Sequence, residues 1–279
     1  MRRSLYYISL ILLLFSCDRY IPYPVLTDED ALLMLECTAG EADSTMVFVS
    51  KKYMITHEHR PSGTGEEPLN SSLKFVVNGE TLDCKKYVTS DKYVVYHQFR
   101  AGDRIEVFCS APGLPDVTAA TVIPEAPADI IKDFNYVVEG NILKGELVVN
   151  CDQTAGLHLS AALDITKVTH KYEEEVYVSS IVHRYSQPLS INGNGQCIFD
   201  YLLPKEYIGP DDEGKIFRET TDTEIRFKLN VLSEELYFAK LHQQSSTMSP
   251  SSYTNVKGGL GYVGAVNAIT IGTFTSEAQ

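Results

Sequence analysis

From Ala31 to Val122 the chain falls into apolar or alternating runs of strand length, and turn residues end each run before a helix could develop. "ALLMLECTAG", "STMVFVSKKYM", "SLKFVVNGETL", "KYVVYHQF", "DRIEVFCSA" and "VTAATVIP" follow one another. Ala-Gly-Glu, Pro-Ser-Gly-Thr-Gly, Asn-Gly, Ala-Gly-Asp and Pro-Gly stand between them. A period of two puts alternate side chains on one face of a strand. Six or seven such strands over about 95 residues match the size of an immunoglobulin-like β-sandwich.

The two prolines of "VIPEAPADI" mark a boundary, giving an N-terminal domain over 31–124 and a second over 128–279. The second half reads as longer, tyrosine-rich strands: "IKDFNYVVEGN", "ILKGELVVNC", "LHLSAALDITKVTHKY", "EVYVSSIVHRYS", "QCIFDYLL" and "EIRFKLNVL". One helix signal follows in "LSEELYFAKLHQQ". Ser233 is placed to cap it, Glu234 and Glu235 suit the positive end of its dipole, and Tyr237 and Leu241 share a face. A last strand, "AVNAITIGTF", closes the chain. The expected fold class is mainly β: an N-terminal immunoglobulin-like β-sandwich, then a second β-rich domain with one short C-terminal helix.

The N-terminus carries an export signal. Arg2 and Arg3 precede an apolar run from Leu5 to Phe15, which is too short for a bilayer span of about 20 residues but suits a secretory segment. The run stops at Leu14-Phe15-Ser16-Cys17, which resembles the lipobox of bacterial lipoproteins, although Phe15 is bulky for its place. Residues 1–16 read as a signal peptide, Cys17 as the acylated first residue and 17–30 as a tether with two prolines and three consecutive acids. Acyl chains, at about 0.8 kcal/mol per buried methylene, would hold such a chain in a membrane.

The formal charge is −13, and −15 once the two signal arginines are gone. No basic stripe for nucleic acid is visible, and a phosphate backbone would be repelled. If Cys17 is acylated, Cys37, Cys84, Cys109, Cys151 and Cys197 remain, an odd number. Cys37, Cys109 and Cys151 continue the alternation of apolar residues and read as inward-facing buried thiols; Cys37–Cys109 is the pairing to expect if any bridge forms.

Chemical motifs are sparse. His57 and His59 would share a face of an extended segment, yet no third ligand can be assigned, so a polar loop is the better reading. Asp211, Asp212 and Glu213 lack the ligand alternation of a calcium loop. "KYEEEVY" reads as a solvated strand end or hairpin loop. No nucleophile elbow or P-loop is present. Gly259, Gly261 and Gly264 in "GGLGYVGAV" have the spacing of a dinucleotide fingerprint, which needs a following helix and a later acid. Only 15 residues follow Gly264, and they are rich in threonine and β-branched residues. The glycines are therefore expected to serve positive φ or close backbone approach. No catalytic residue, cofactor or metal is expected.

"VLSEELYFAKLHQQ" followed by "NVKGGLGYVGA" resembles the C-terminal signature of the DUF4249 family, carried by Gly258, Gly259, Leu260, Gly261, Tyr262 and Gly264. The resemblance implies a Bacteroidetes lipoprotein of uncharacterised function, exported to the cell envelope and built of two β-rich parts. It further implies genes often found near outer-membrane TonB-dependent receptors. The expectation that follows is a lipid-anchored outer-membrane protein, a binding or accessory component of an uptake system, with its ligand and its face of the membrane unassigned. A fimbrillin-like structural subunit is the alternative, in which "NAITIGTF" would be a donated strand.

Overall fold

The computed structural model describes residues 31–53, 69–87, 90–154, 156–173, 176–210, 215–244 and 253–277. The signal peptide, Cys17, the tether, His57, His59, Asp211, Asp212 and Glu213 lie outside them. The first half contributes β1 (Ala31–Ala39), β2 (Ser44–Tyr53), β3 (Ser72–Val77), β4 (Glu80–Leu82), β5 (Cys84–Lys86), β6 (Lys92–Tyr96), β7 (Arg104–Ser110) and β8 (Val117–Val122). The second half contributes β9 (Ile131–Glu139), β10 (Ile142–Val149), β11 (His158–Glu173), β12 (Val176–Leu189), β13 (Gln196–Leu202), β14 (Tyr207–Pro210) and β15 (Ile216–Leu232). Helix α1 (Glu234–Gln244) and β16 (Leu260–Ser276) complete it. The fold is mainly β, with one α-helix among the described residues.

Two cores form, each between two sheets. In the first, β16, β1, β2, β6 and β5 lie on one side and β4, β3, β7 and β8 on the other. Alternation decides what enters it. Along β1 the pattern strictly alternates, burying Leu33, Leu35 and Cys37. They meet Val47 and Val49 of β2, Phe75 of β3, and Ile105, Val107 and Cys109 of β7. In the second core, β9, β10 and β13 pack on β11, β15 and β16, enclosing Leu143, Leu147, Leu163, Ile165, Ile225, Phe227 and Leu229.

The two cores are stitched by β16. Its first residues, Leu260 to Ala265, pair in parallel with β1, and Val266 to Ser276 then pair antiparallel with β15. Sequence reading assigns this closing strand to the second domain alone. In the structure, Val256, Val263 and Ala265 belong to the first core, while Ile269, Ile271 and Phe274 pack against the second. A parallel pair needs a long crossover, and the whole intervening chain provides it. The result is one nine-stranded sheet that runs β12-β11-β15-β16-β1-β2-β6-β5, with β14 pairing β15.

Helix α1 lies against this junction. Ser233 Oγ accepts the Leu236 N–H at 3.3 Å, the expected cap, and also accepts the Ala265 N–H of β16 at 3.1 Å. Leu236 is fully buried, whereas Leu241 on another face is half exposed.

Two thiols behave as expected, and burial alone pushes Cys37 up to about 12. Burial also raises Cys109, to about 11. Cys197 is buried as well, and all five described cysteines are free. Cys151 departs from the expectation of an inward-facing position. Strand β10 ends at Val149, and the chain enters a 3-10 turn (Cys151–Gln153) that leaves Cys151 exposed. Alternation does not continue past the end of a strand. Because the thiolate is the reactive form, iodoacetamide at about pH 8 should modify Cys151 at least about ten times faster than Cys37 or Cys109 in the native protein. Peptide mapping by mass spectrometry would read this; comparable rates at the three sites would show that the burial is not maintained in solution.

Candidate interaction surface

The second core ends at the directly paired Ile165 and Ile225. The strands do not end there. Beyond Ile165, β11 continues eight residues to Glu173, roughly 26 Å of further strand. With β12, β14 and β15 it makes a projecting wing. Aromatic and cationic side chains replace a hydrophobic interior on it. Lys171 sits 4.6 Å from the Phe217 ring centroid and Arg218 lies 5.0 Å from that of Tyr172. Tyr172 meets Tyr177 edge-on at 5.9 Å, and Tyr207 meets Phe217 at 5.6 Å. His170 Nε2 is 3.1 Å from Asp222 Oδ2.

The outer boundary of the wing is β12, which stands at the end of the sheet with no strand paired to its outer side among the described residues. None of its residues is buried. Val176 is 66% exposed, Tyr177 54%, Val178 50%, Ile181 58% and Val182 50%. These residues are of both parities, so apolar groups project from both faces. A bulge opposite Lys171/Tyr172 interrupts the ladder near the tip. Natural sheets protect such edges with charged side chains, proline, bulges or coverage; β12 has that bulge, Arg184 and Pro188, all outside its apolar stretch from Ile181 to Val182.

At the base of the wing, the hydroxyls of Tyr185 and Tyr201 are 2.9 Å apart and bridge the two sheets. The Lys167 ammonium lies 5.5 and 5.4 Å from their ring centroids. Burial works against the Lys167 charge, but hydrogen bonds to Tyr201 and Tyr185 outweigh it and its pKa is raised. Tyr201 is raised by burial, with Lys167 acting in the opposite direction.

The glycine segment has a structural explanation. Gly261 (φ +93°) lies within β16, where a Cβ would strike the Leu35 carbonyl of β1. At Gly264 a Cβ would come within 2.7–2.9 Å of the Leu236 Cβ, Cα and N atoms of α1. Gly261 and Gly264 lie inside a strand that runs on to Ser276, where a phosphate cradle would need a helix. Asn255 closes the loop in front of them: its Oδ1 accepts the Val263 N–H at 3.0 Å and its Nδ2 donates to the Val263 carbonyl at 2.8 Å. Residues 267–274, the segment expected as a donatable strand, are paired with β15. Among the described residues, no group of three or more His, Cys, Asp or Glu is placed to hold a metal. No helix among them is long and apolar enough to cross a membrane.

The architecture defines a β-protein of two packed cores, joined by a shared strand and ending in a long edge that no strand among the described residues pairs. The chain belongs to the DUF4249 family, described as a domain of unknown function, which it matches over residues 21–271. No curated protein matches it. Among solved structures it is similar to the Yersinia pseudotuberculosis adhesin InvE, with 11% identity over 72% of this chain and 56% of that one, at a TM-score of 0.19. A pullulanase from Anoxybacillus sp. LM18-11, complexed with maltotriose, matches at 9% over 71% and 24%, with a TM-score of 0.18. The secreted serine protease VesC from Vibrio cholerae matches at 8% over 70% and 47%, with a TM-score of 0.21. The chain spans less than two thirds of the length of each, and likenesses this distant carry no functional argument.

Proposed function

We propose that this chain is a lipid-anchored envelope protein, acylated at Cys17, that acts as a binding or accessory component of an outer-membrane TonB-dependent uptake system. The observation that carries the binding role is the β12 edge, where five apolar side chains at half exposure or more share a strand whose outer side no strand among the described residues pairs. Such an edge is a template for strand addition, in which main-chain hydrogen bonds supply affinity and alternate side chains supply selectivity. The Arg-Arg, apolar run, Ser-Cys order supports the anchor.

A photo-crosslinking residue at Tyr177 or Val182, followed by pull-down from native outer membranes, should capture a barrel receptor or its substrate. The same residue at exposed Lys74, on β3, should not. Equal capture from all three positions, or none, would overturn the binding role assigned to β12. Cys17→Ser should move the protein from the membrane to the soluble fraction or leave uncleaved precursor. Wild-type protein that is fully soluble and free of lipid by mass spectrometry would remove the anchor.

A further inference from the structure

The opposite end of the nine-stranded sheet carries a second surface of different chemistry. Strands β2, β5 and β6 together read STMVFVSKKY, CKK and KYVVY: five lysines and no acidic residue, in a chain with 37 acids against 24 basic residues. The register puts Lys52, Lys85 and Lys92 on the outer face and Lys51 and Lys86 on the face turned to the first core. Alternation sends Val47, Val49, Tyr93 and Val95 into the first core and leaves Met46, Phe48, Lys92, Tyr96 and Lys85 outside. Met46 is 49% exposed, Phe48 39% and Tyr96 65%. The register sets them side by side, with Phe48 opposite Lys92 and Met46 opposite Val94, which in turn faces Lys85. Lys92 lies 5.2 Å from the Phe48 ring centroid and Lys85 lies 5.5 Å from that of Tyr96. The nearest carboxylates are Asp91, which pairs with Lys86 at 3.4 Å, Glu36 of β1, half-buried and directly opposite Phe48, and the exposed Asp43 and Asp83 at the strand ends.

We infer that this face is a membrane-contact surface that lies on anionic lipid headgroups. Aromatic and flexible apolar side chains ringed by lysines are what an interfacial site requires: the rings enter the headgroup layer and the ammonium groups meet lipid phosphates. Charge selects the occupant. A mature chain of net charge −15 is repelled by an anionic surface except where lysines gather, and beyond a Debye length of about 8 Å the repulsion is screened. Geometry permits it, because the 14 residues from Cys17 to Asp30 can span at most about 50 Å before β1 begins at Ala31. The face would hold the sheet at its β5–β6 end and leave β12, seven strand spacings or roughly 34 Å away, free for a partner. The orientation rests on the lipid anchor proposed above; the lipid affinity of the face does not.

The chain has no tryptophan, so Phe48→Trp introduces a single reporter on this face. In acylated protein reconstituted into phosphatidylethanolamine–phosphatidylglycerol vesicles, its emission should shift to the blue and lose about twofold intensity to brominated acyl chains. A Tyr177→Trp reporter on β12 should do neither. Adding Lys85→Glu and Lys92→Glu should abolish the quenching while the protein still floats with the vesicles. The Cys17→Ser chain with the Phe48→Trp reporter, lacking the acyl group, should bind the same vesicles weakly and be released by salt. Each lysine reversal should lower its partitioning at least about fivefold. Failure to float with quenching retained at high lipid would remove the anchor and keep the lipid-binding face. Floating protein whose Phe48→Trp reporter is unquenched, or quenched equally in zwitterionic vesicles, would overturn the inference. A blue shift before any lipid is added would assign the face to a second copy and overturn it as well.

Discussion

Deleting residues 256–279 is expected to abolish cooperative unfolding of the whole described structure, not only of its second half. The deletion takes Val256, Val263 and Ala265 from the first core and Ile269, Ile271 and Phe274 from the surface of the second. At roughly 1.5–3 kcal/mol for each large buried side chain, the loss approaches 10 kcal/mol, the order of a typical domain's entire stability. It also opens two strand edges in mid-sheet, since β1 and β15 both lose the partner between them. Thermal melts by circular dichroism, with amide proton dispersion measured alongside, would show this. A truncated protein melting at the parent's temperature would mean that β16 is an accessory tail.

Gly261→Ala should produce the largest loss of any single substitution considered, on the order of 2–5 kcal/mol. Two costs add. A non-glycine residue at φ +93° is strained, by about 1–2 kcal/mol, and the new Cβ would overlap the Leu35 carbonyl in the parallel ladder, where overpacking costs a further 1–3 kcal/mol. The carbonyl cannot yield without distorting β1, whose Leu33, Leu35 and Cys37 anchor the first core. The melting temperature should fall accordingly, and an unchanged value would refute the close approach. Gly264→Ala tests the other contact by forcing α1 away from β16 at the fully buried Leu236. NAD, NADP and FAD should leave the melting temperature of the parent unchanged; a saturable shift abolished by Gly261→Ala would restore the dinucleotide reading.

Most of the strands are legible in the sequence because alternation is a local property. Leu33, Leu35 and Cys37 announce one buried face of β1 whatever they pack against, and the Asn78–Gly79 turn announces the β3–β4 hairpin. The cap at Ser233 is likewise written within four residues. Cys151 shows the limit of the method, since nothing in the periodicity says where β10 stops. The β12 edge left a faint trace: apolar residues occupy both parities of "VYVSSIVHRY", so no single buried face exists. That pattern fits a strand buried on both faces as well as one exposed on both, and only packing distinguishes them.

What the sequence determined by itself was most of the strands, the one capped helix and the need for glycine at 258–264, because each follows from side-chain periodicity or backbone sterics over a few residues; the short β5 and β14 it did not mark. Tertiary structure alone decided that β16 pairs with β1, across more than 200 residues, and that one strand serves two cores. It also decided which strands end the sheet, and so which side chains meet solvent at β12 and at β5–β6. Partner choice between strands depends on register and on surfaces distant in the chain, and no local pattern encodes it.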